Sequence, residues 1–272
     1  MQRFTLQSPW LRLSGSLAGG LRVIELVPAF HPLNLLAQTP DTGWDTPYGY
    51  FELVGGHRLT FAPESPLCYA PPGPGASAEV IGLDLRLHQP ATGADRLERE
   101  IRVRLDPDRP MATLRHRLTW RGDAPLELAL WTVTQLIPGG TAVLPFAPSA
   151  AGGPPDRAVV FWSDSSPADP RLSYSSHAIH LKVDDTPAPF KVGVRSAVSE
   201  LAYRVAGLTF TKRFEPRPEL PHPDLGCTHE VYCNPAYVEL EALAPLVTLQ
   251  PGESTELDET WEITPGEGPN QA

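Results

Sequence analysis

The strongest chemical feature of the sequence is a short segment near its C-terminal end that carries two glutamates on one strand face. Residues 237–242 read Tyr-Val-Glu-Leu-Glu-Ala, so polar and apolar residues alternate. Because successive side chains of a β-strand point to opposite faces, Tyr237, Glu239 and Glu241 share one face and the apolar residues share the other. Neighbouring carboxyl groups can exchange protons with a bound molecule. The pattern therefore predicts a polar site on one face of a sheet.

The residues that follow predict a turn and a closing strand. Residues 249–253 read Leu-Gln-Pro-Gly-Glu, and a Pro-Gly pair is typical of a tight turn. Residues 256–263 then alternate again and place Leu257, Glu259, Trp261 and Ile263 on one face.

This C-terminal stretch resembles the end of galactose mutarotase-like (aldose 1-epimerase-like) proteins. The likeness lies in the Leu-Glu strand, the Leu-x-Pro-Gly-Glu turn and the Glu-Thr-x-Glu-Ile strand, and it is most specific over residues 226–263. An uncharacterised bacterial branch of that superfamily is more similar still, in Tyr-Val-Glu-Leu-Glu and in a Gly-Gly-x-Arg segment. The resemblance implies an antiparallel β-supersandwich with a sugar cleft. It also implies that Glu241 is the general base at the anomeric hydroxyl, with Glu239 beside it.

A Gly-Gly pair precedes a second group of candidates, which comprises His57, Arg58 and Glu64. Paired glycines let the backbone turn sharply or approach a ligand closely. The surrounding residues 40–75 predict a long irregular region, and such regions are often functional. The resemblance implies that Arg58 reaches the sugar pocket. The alternative is a structural ion pair between Arg58 and Glu64 or Glu52.

A third group lies on the strand that begins Trp-Thr-Val-Thr-Gln at residue 131. Trp131 can stack on a sugar ring and Gln135 can bond its hydroxyl groups. In the resembling enzymes a histidine that follows this strand acts as general acid, and this sequence has none there. The acid would then come from His57 or His229. Lys212 can bring a cation near a substrate oxygen, or it is a solvated strand lysine.

Cys227, His229 and Cys233 offer a different chemistry on one short segment. Two thiolates and one imidazole, with water as fourth ligand, would suit a catalytic zinc ion. The spacing matches no common zinc finger, however, and two small buried thiols are the simpler interpretation. We expect neither a metal nor a cofactor.

The composition favours a β-rich protein that binds a small neutral molecule. The chain has 272 residues with 32 prolines and 22 glycines, which disfavours long helices. A net charge of −10 argues against nucleic acid or an anionic membrane as partner. The three cysteines, an odd number, argue against a disulfide framework, and the N-terminus offers no signal-peptide core, so a soluble cytoplasmic protein is expected.

Alternating segments throughout the chain, among them residues 81–87, 97–105, 190–195 and 208–214, predict strands and an all-β fold with antiparallel sheets in a single domain over residues 1–272. The Pro/Gly-rich residues 147–156 are interpreted as an internal loop, because the strand pattern resumes after them without a change of composition.

Three functions follow from these residues. The first is an aldose 1-epimerase-like enzyme with the carboxylates as bases. The second is a non-catalytic sugar-binding protein in which Trp131, Tyr237 and Arg58 hold the ligand. The third is a metal-dependent enzyme that uses Cys227, His229 and Cys233.

Overall fold

The protein folds into two large antiparallel sheets that pack face to face. The structure, a computed structural model, describes residues 3–146 and 157–266. The predicted all-β class is confirmed, because the described elements are strands and two single-turn 3-10 helices, at Pro66–Tyr69 and Asp224–Gly226. The predicted loop at residues 147–156 lies outside the described residues.

The first sheet has ten strands and carries the candidate site on its outer face. Its strands are β1 (Arg3–Gln7), β2 (Leu11–Ser16), β3 (Arg22–Pro28), β6 (His57–Ala62), β11 (Leu126–Leu136), β13 (Ala158–Phe161), β16 (Phe190–Arg195), β19 (His229–Asn234), β20 (Tyr237–Leu243) and β21 (Val247–Leu249). The order is β1-β2-β3-β6-β11-β20-β19-β16-β13, and β21 pairs with β11.

The second sheet also has ten strands and covers the inner face of the first. Its strands are β7 (Ser77–Ile81), β8 (Asp84–Gln89), β9 (Leu97–Leu105), β10 (Met111–Trp120), β12 (Thr141–Pro145), β14 (Leu172–Tyr174), β15 (Ala178–Lys182), β17 (Glu200–Val205), β18 (Leu208–Phe214) and β22 (Ser254–Pro265). The order is β14-β15-β12-β17-β18-β22-β10-β9-β8-β7. A separate hairpin pairs β4 (Gln38–Thr46) with β5 (Gly49–Gly55).

The core lies between the two sheets and is built by the period-two alternation of their strands. Leu13, Leu130 and Leu240 of the first sheet belong to one buried cluster with Ile101 and Phe210 of the second. In β22, Leu257, Glu259, Trp261 and Ile263 are all buried, which confirms the face predicted for that strand.

Two predictions about local structure were wrong. The alternating residues 81–87 do not form one strand, because Gly82 turns the chain at φ +60° and separates β7 from β8. Residues 40–75 are not mainly irregular either. They contain most of β4 and all of β5 and β6, and the Gly-Gly pair at positive φ joins β5 to β6.

No helix in the described residues has the length and apolar content needed to cross a membrane.

Candidate functional site

The candidate site is a cleft of about 340 Å³ on the outer face of the first sheet. Central strands supply its floor, and the β4–β5 hairpin and neighbouring loops supply its walls. The lining residues are Trp44, Leu53, Arg58, Glu64, Tyr69, Trp131, Trp162, Asp164, Lys191, Tyr232, Tyr237 and Glu239.

A larger depression of about 700 Å³ covers the outer face of the second sheet. The arginines that line it are already paired with carboxylates, such as Arg115 with Asp258 and Arg104 with Asp84. The smaller cleft concentrates buried titratable groups and aromatic rings, so we assign the site there.

Strand register brings the floor residues together. Across neighbouring strands, Val133 pairs with both Arg58 and Glu241, Glu241 pairs with Glu230, and Glu230 pairs with Gly193. All five residues therefore lie in one row on the outer face. The adjacent row contains Gln135, Glu239, Tyr232 and Lys191.

Three glutamates and one lysine form a charged cluster in this floor. The Lys191 ammonium lies 3.0 Å from Glu241 Oε2 and 2.8 Å from Glu230 Oε2. Glu230 and Glu241 are 0% exposed, whereas Glu239 and Lys191 are each 9% exposed. Gln135 donates a hydrogen bond of 2.8 Å to Glu239 Oε1. Glu239 is thus the carboxyl that meets the open cleft, and Glu241 lies beneath Lys191.

Burial and like charge determine the protonation of the cluster. Desolvation, followed by the charge of Glu241, raises the pKa of Glu239 to about 7, although Arg58 and Lys191 oppose the shift. Desolvation also raises the pKa of Glu230 well above its usual value. The pKa of Lys191 is raised well above 10.5, because Glu241 and Glu230 outweigh the effect of burial.

The shift at Glu239 also links stability to pH. Folded Glu239 keeps its proton up to about pH 7, whereas the unfolded chain releases it near 4.5. The unfolded state therefore binds fewer protons in that interval, and this group makes the protein less stable as pH rises across it.

Arg58 lies at the other end of the row, inside a cage of aromatic rings. Its guanidinium carbon lies 5.6 Å from the Phe51 ring centroid, 5.3 Å from that of Tyr69 and 5.8 Å from that of Trp131. The side chain is 5% exposed and forms no ion pair with any described residue. The alternative of an ion pair with Glu64 or Glu52 is therefore wrong. Glu64 is exposed at the rim and accepts a hydrogen bond from Tyr69.

Gly193 leaves room for the side chains of Cys227 and Glu230 because it has no Cβ of its own. A Cβ at this position would lie 2.5 Å from Cys227 Sγ and 3.1 Å from Glu230 Cγ. We expect Gly193→Ala to destabilise the protein by about 1–3 kcal/mol, as overpacking of a closed site does. Urea unfolding measures this effect. In the Cys227→Ala background the clashing sulfur is gone and the cost should shrink; an unchanged cost would contradict this account of the contact.

His57 lies on the inner face of the first sheet and Lys212 on the inner face of the second, so the prediction that they enter the cleft was wrong. His57 Nε2 lies 2.9 Å from His116 Nε2 of the second sheet. The Lys212 ammonium lies 3.0 Å from Glu259 and also donates to Thr132, at 2.9 Å. Lys212 has the same strand parity as Phe210 and Phe214, which explains its burial.

This inner group is a polar bridge between the two sheets. His57, His116 and Glu259 are the one set of three metal-type ligands, among the described residues, whose ligand atoms lie within 4.8 Å of one another. His116 Nδ1 donates to the Leu257 carbonyl, so its Nε2 accepts the proton of His57 Nε2. Each ligand atom is thus already hydrogen-bonded, and the ammonium group of Lys212 lies beside Glu259. The group therefore does not suit a metal ion.

His229 also points between the sheets, and the prediction that it supplies an acid in the cleft was wrong. It is 0% exposed, its ring lies 4.5 Å from that of Phe214, and its Nδ1 lies 2.8 Å from Thr228 Oγ1. Burial lowers its pKa to about 3. The ligand atoms of Cys227, His229 and Cys233 do not converge in the described structure, so the proposed zinc site is not formed.

The cleft therefore contains some predicted residues and several that the sequence analysis missed. Arg58, Glu64, Trp131, Tyr237 and Glu239 line it, while Gln135 and Glu241 lie directly beneath. The missed residues include Lys191, Trp162 and Tyr232. Strand alternation gave a signal for Lys191, which lies between the apolar residues Phe190 and Val192 and so faces away from the core.

Comparisons with known proteins identify the fold. No protein-family model and no curated protein sequence matches the chain. A protein from Escherichia coli K12, provisionally described as an aldose 1-epimerase, has a TM-score of 0.60 at 12% identity, over 97% of this chain and 99% of that chain. A galactose mutarotase-like protein from Lactobacillus casei ATCC 334 has a TM-score of 0.57 at 10% identity, over 97% of this chain and 100% of that chain.

A further likeness shows the same fold within a larger protein. A TPR-domain containing protein from Parabacteroides distasonis ATCC 8503 has a TM-score of 0.63 at 14% identity, over 96% of this chain and 46% of that chain. At sequence identities this low, the structural likeness shows a shared fold. The two stacked antiparallel sheets and these neighbours establish that the chain has the galactose mutarotase-like β-supersandwich fold.

Proposed function

We propose that this protein is an aldose 1-epimerase-like enzyme that binds a sugar in the cleft and interconverts its anomers. The observation that carries the proposal is Glu239, a carboxyl at the cleft surface whose pKa is raised to about 7. A group that is half protonated near neutral pH is suited both to take and to return a proton.

The cleft also has the surfaces that a sugar requires. Trp131, Trp162 and Tyr237 offer aromatic faces for the apolar side of a pyranose ring. Arg58 offers a fixed fork of donors for oxygen atoms.

Anomer exchange needs one proton removed from the anomeric hydroxyl and one delivered to the ring oxygen, so that the ring opens and closes on either face. The resemblance implied Glu241 as base. We propose Glu239 in this role, because it meets the cleft while Glu241 lies beneath Lys191. Glu241 then acts through its charge, which raises the pKa of Glu239. Solvent water in the open cleft supplies the proton for the ring oxygen, and the Lys191 ammonium stabilises the negative charge that develops on the sugar oxygens as the ring opens.

Polarimetry with freshly dissolved α-glucose and α-galactose tests this proposal. Wild-type protein should accelerate mutarotation over buffer, and Glu239→Gln should lose about 10²–10⁴-fold in rate, as expected for general acid–base catalysis. Glu241→Gln should retain activity with its pH optimum moved to lower pH. Full activity in Glu239→Gln would refute the role of Glu239.

Non-catalytic sugar binding is the second candidate, and one observation favours it. No histidine is among the residues that line the cleft in the described structure, so the histidine acid of the resembling enzymes has no counterpart there. A sugar that raises the melting temperature without faster mutarotation would support this candidate. For either function we propose a cytoplasmic location, which suits three unpaired buried cysteines.

A further inference from the structure

Arg58 is a buried cation whose charge the described protein does not neutralise with a carboxylate. It is 5% exposed, forms no ion pair with a described residue, and its Nε has no hydrogen-bond acceptor. Arg171, at 4% exposed, provides the contrast. Its Nε and Nη2 bond to Asp169 at 3.0 and 2.9 Å, and its Nη1 bonds to a backbone carbonyl.

The surroundings of Arg58 hold the guanidinium in place without neutralising it. Phe51, Tyr69 and Trp131 present rings at 5.3–5.8 Å, and aromatic faces attract a cation through their quadrupole without carrying a net charge. Burial lowers the pKa of Arg58, but Tyr69, Glu239 and Glu241 outweigh that effect and raise it, although no carboxylate of the described residues lies within ion-pairing distance. Arg58 lines the cleft and has no carboxylate at ion-pairing distance, so it is prepared for an anion supplied by the ligand.

The other charges in the cleft determine which anion fits. Lys191, the second cation of the lining, is already shared between Glu230 and Glu241. Glu64, Asp164 and Glu239 also line the cleft and repel a strongly anionic group. One free guanidinium matches one carboxylate through two parallel hydrogen bonds. A dianionic phosphate would remain partly uncompensated.

We infer that the sugar bound in the cleft is a uronic acid, an aldose that carries a single carboxylate, and that Arg58 binds this carboxylate. The inference rests on the proposed function, because it takes the same cleft and the same Glu239. Strand β11 lies between β6 and β20, and Arg58 and Glu239 lie in adjacent rows, so their Cα atoms are about 12 Å apart. A single pyranose can bridge the two side chains, with its carboxylate at Arg58 and its anomeric carbon at Glu239.

Calorimetric binding and polarimetry with matched sugars test this inference. The probes are galacturonate, galactose and galactose 6-phosphate, together with the corresponding gluco-configured set. In one of the two configurations we expect the uronate to bind at least about tenfold more tightly than the neutral aldose and the phosphate, a difference of about 1.4 kcal/mol. The preference should weaken as salt is added, because it depends on charge.

Variants connect the preference to Arg58. Arg58→Gln should remove the preference for the uronate over the aldose, and Arg58→Lys should retain part of it. Arg104→Gln is the matched control, since it removes one positive charge from the outer face of the second sheet and should leave the ratio unchanged. Should Arg58→Gln fail to fold, Arg58→Lys tests the same residue, because it keeps the charge but loses the two parallel hydrogen bonds and should lower the uronate preference.

The outcomes separate this inference from the proposed function. Faster mutarotation without a preference for uronates would overturn the inference and leave the proposed function intact. A preference for the phosphate, or a uronate preference that survives in Arg58→Gln, would also overturn it. If no sugar binds, both fall together.

Discussion

Replacing Lys191 with methionine should lower the free energy of unfolding by about 3–5 kcal/mol, as measured by urea denaturation. The ammonium is the cation that lies 3.0 Å from Glu241 and 2.8 Å from Glu230, and both glutamates are 0% exposed. Methionine fills a similar volume but leaves the Glu241 carboxylate buried without a counter-charge. The large loss is thus the cost of an uncompensated charge rather than of missing packing.

Two further variants isolate that cause. Lys182→Met removes an exposed lysine that lies 3.8 Å from Asp184, and it should cost less than about 1 kcal/mol. Neutralising the glutamates as well, in Lys191→Met/Glu230→Gln/Glu241→Gln, should recover part of the loss. If Lys191→Met alone costs no more than Lys182→Met, the buried cluster does not carry the charges assigned to it.

The pair Lys212 and Glu259 should show the second large effect, because both side chains reach across the core from the second sheet and hydrogen-bond with Thr132 of the first. Both residues are buried, and their charged groups lie 3.0 Å apart. Lys212→Met and Glu259→Gln should each cost about 3–5 kcal/mol, since each leaves the other partner with an unmet charge. The double variant should cost clearly less than the sum, because residues in contact are coupled.

A surface ion pair is the control for this double-mutant cycle of Lys212 and Glu259. Arg104 lies 3.0 Å from Asp84 with both side chains more than half exposed, so Arg104→Met should cost less than about 1 kcal/mol. Additive losses for Lys212→Met and Glu259→Gln would show that the two residues act independently and that the ion pair is not formed.

Much of the fold could be predicted from local sequence pattern. Alternation in residues 97–105, 190–195 and 208–214 gave strand bounds that match β9, β16 and β18. The same rule placed Tyr237, Glu239 and Glu241 on one face, where the structure has them. The turn at Gly82 was missed because the residues on both sides of it continue the same alternation.

The errors at the site arose where residue type was given more weight than position. His57, Lys212 and His229 were selected because they are titratable. Their strand parity, shared with Leu59, Phe210 and Val231, already placed them inside. Buried polar residues of this kind are tolerated when hydrogen bonds satisfy them, as they do for His57 and Lys212.

The charged cluster could not be predicted from the sequence alone. Lys191 and Glu241 are fifty residues apart in the chain. They meet because β16 pairs with β19 and β19 with β20, and such long-range pairing leaves no local trace in one sequence. The pKa of Glu239 depends on that assembly, because burial and the charge of Glu241 together determine it.

The pKa of Glu239 is the most direct test of the central claim, since it requires no knowledge of the substrate. Carbon-13 NMR of glutamate side-chain carboxyls, with Glu239→Gln used to assign the signal, follows its titration. We expect a midpoint at about 7, and a lower midpoint in Glu241→Gln, because the charge that raises it is removed. A midpoint near 4.5 in the wild-type protein would contradict a proton-exchanging carboxyl at this cleft.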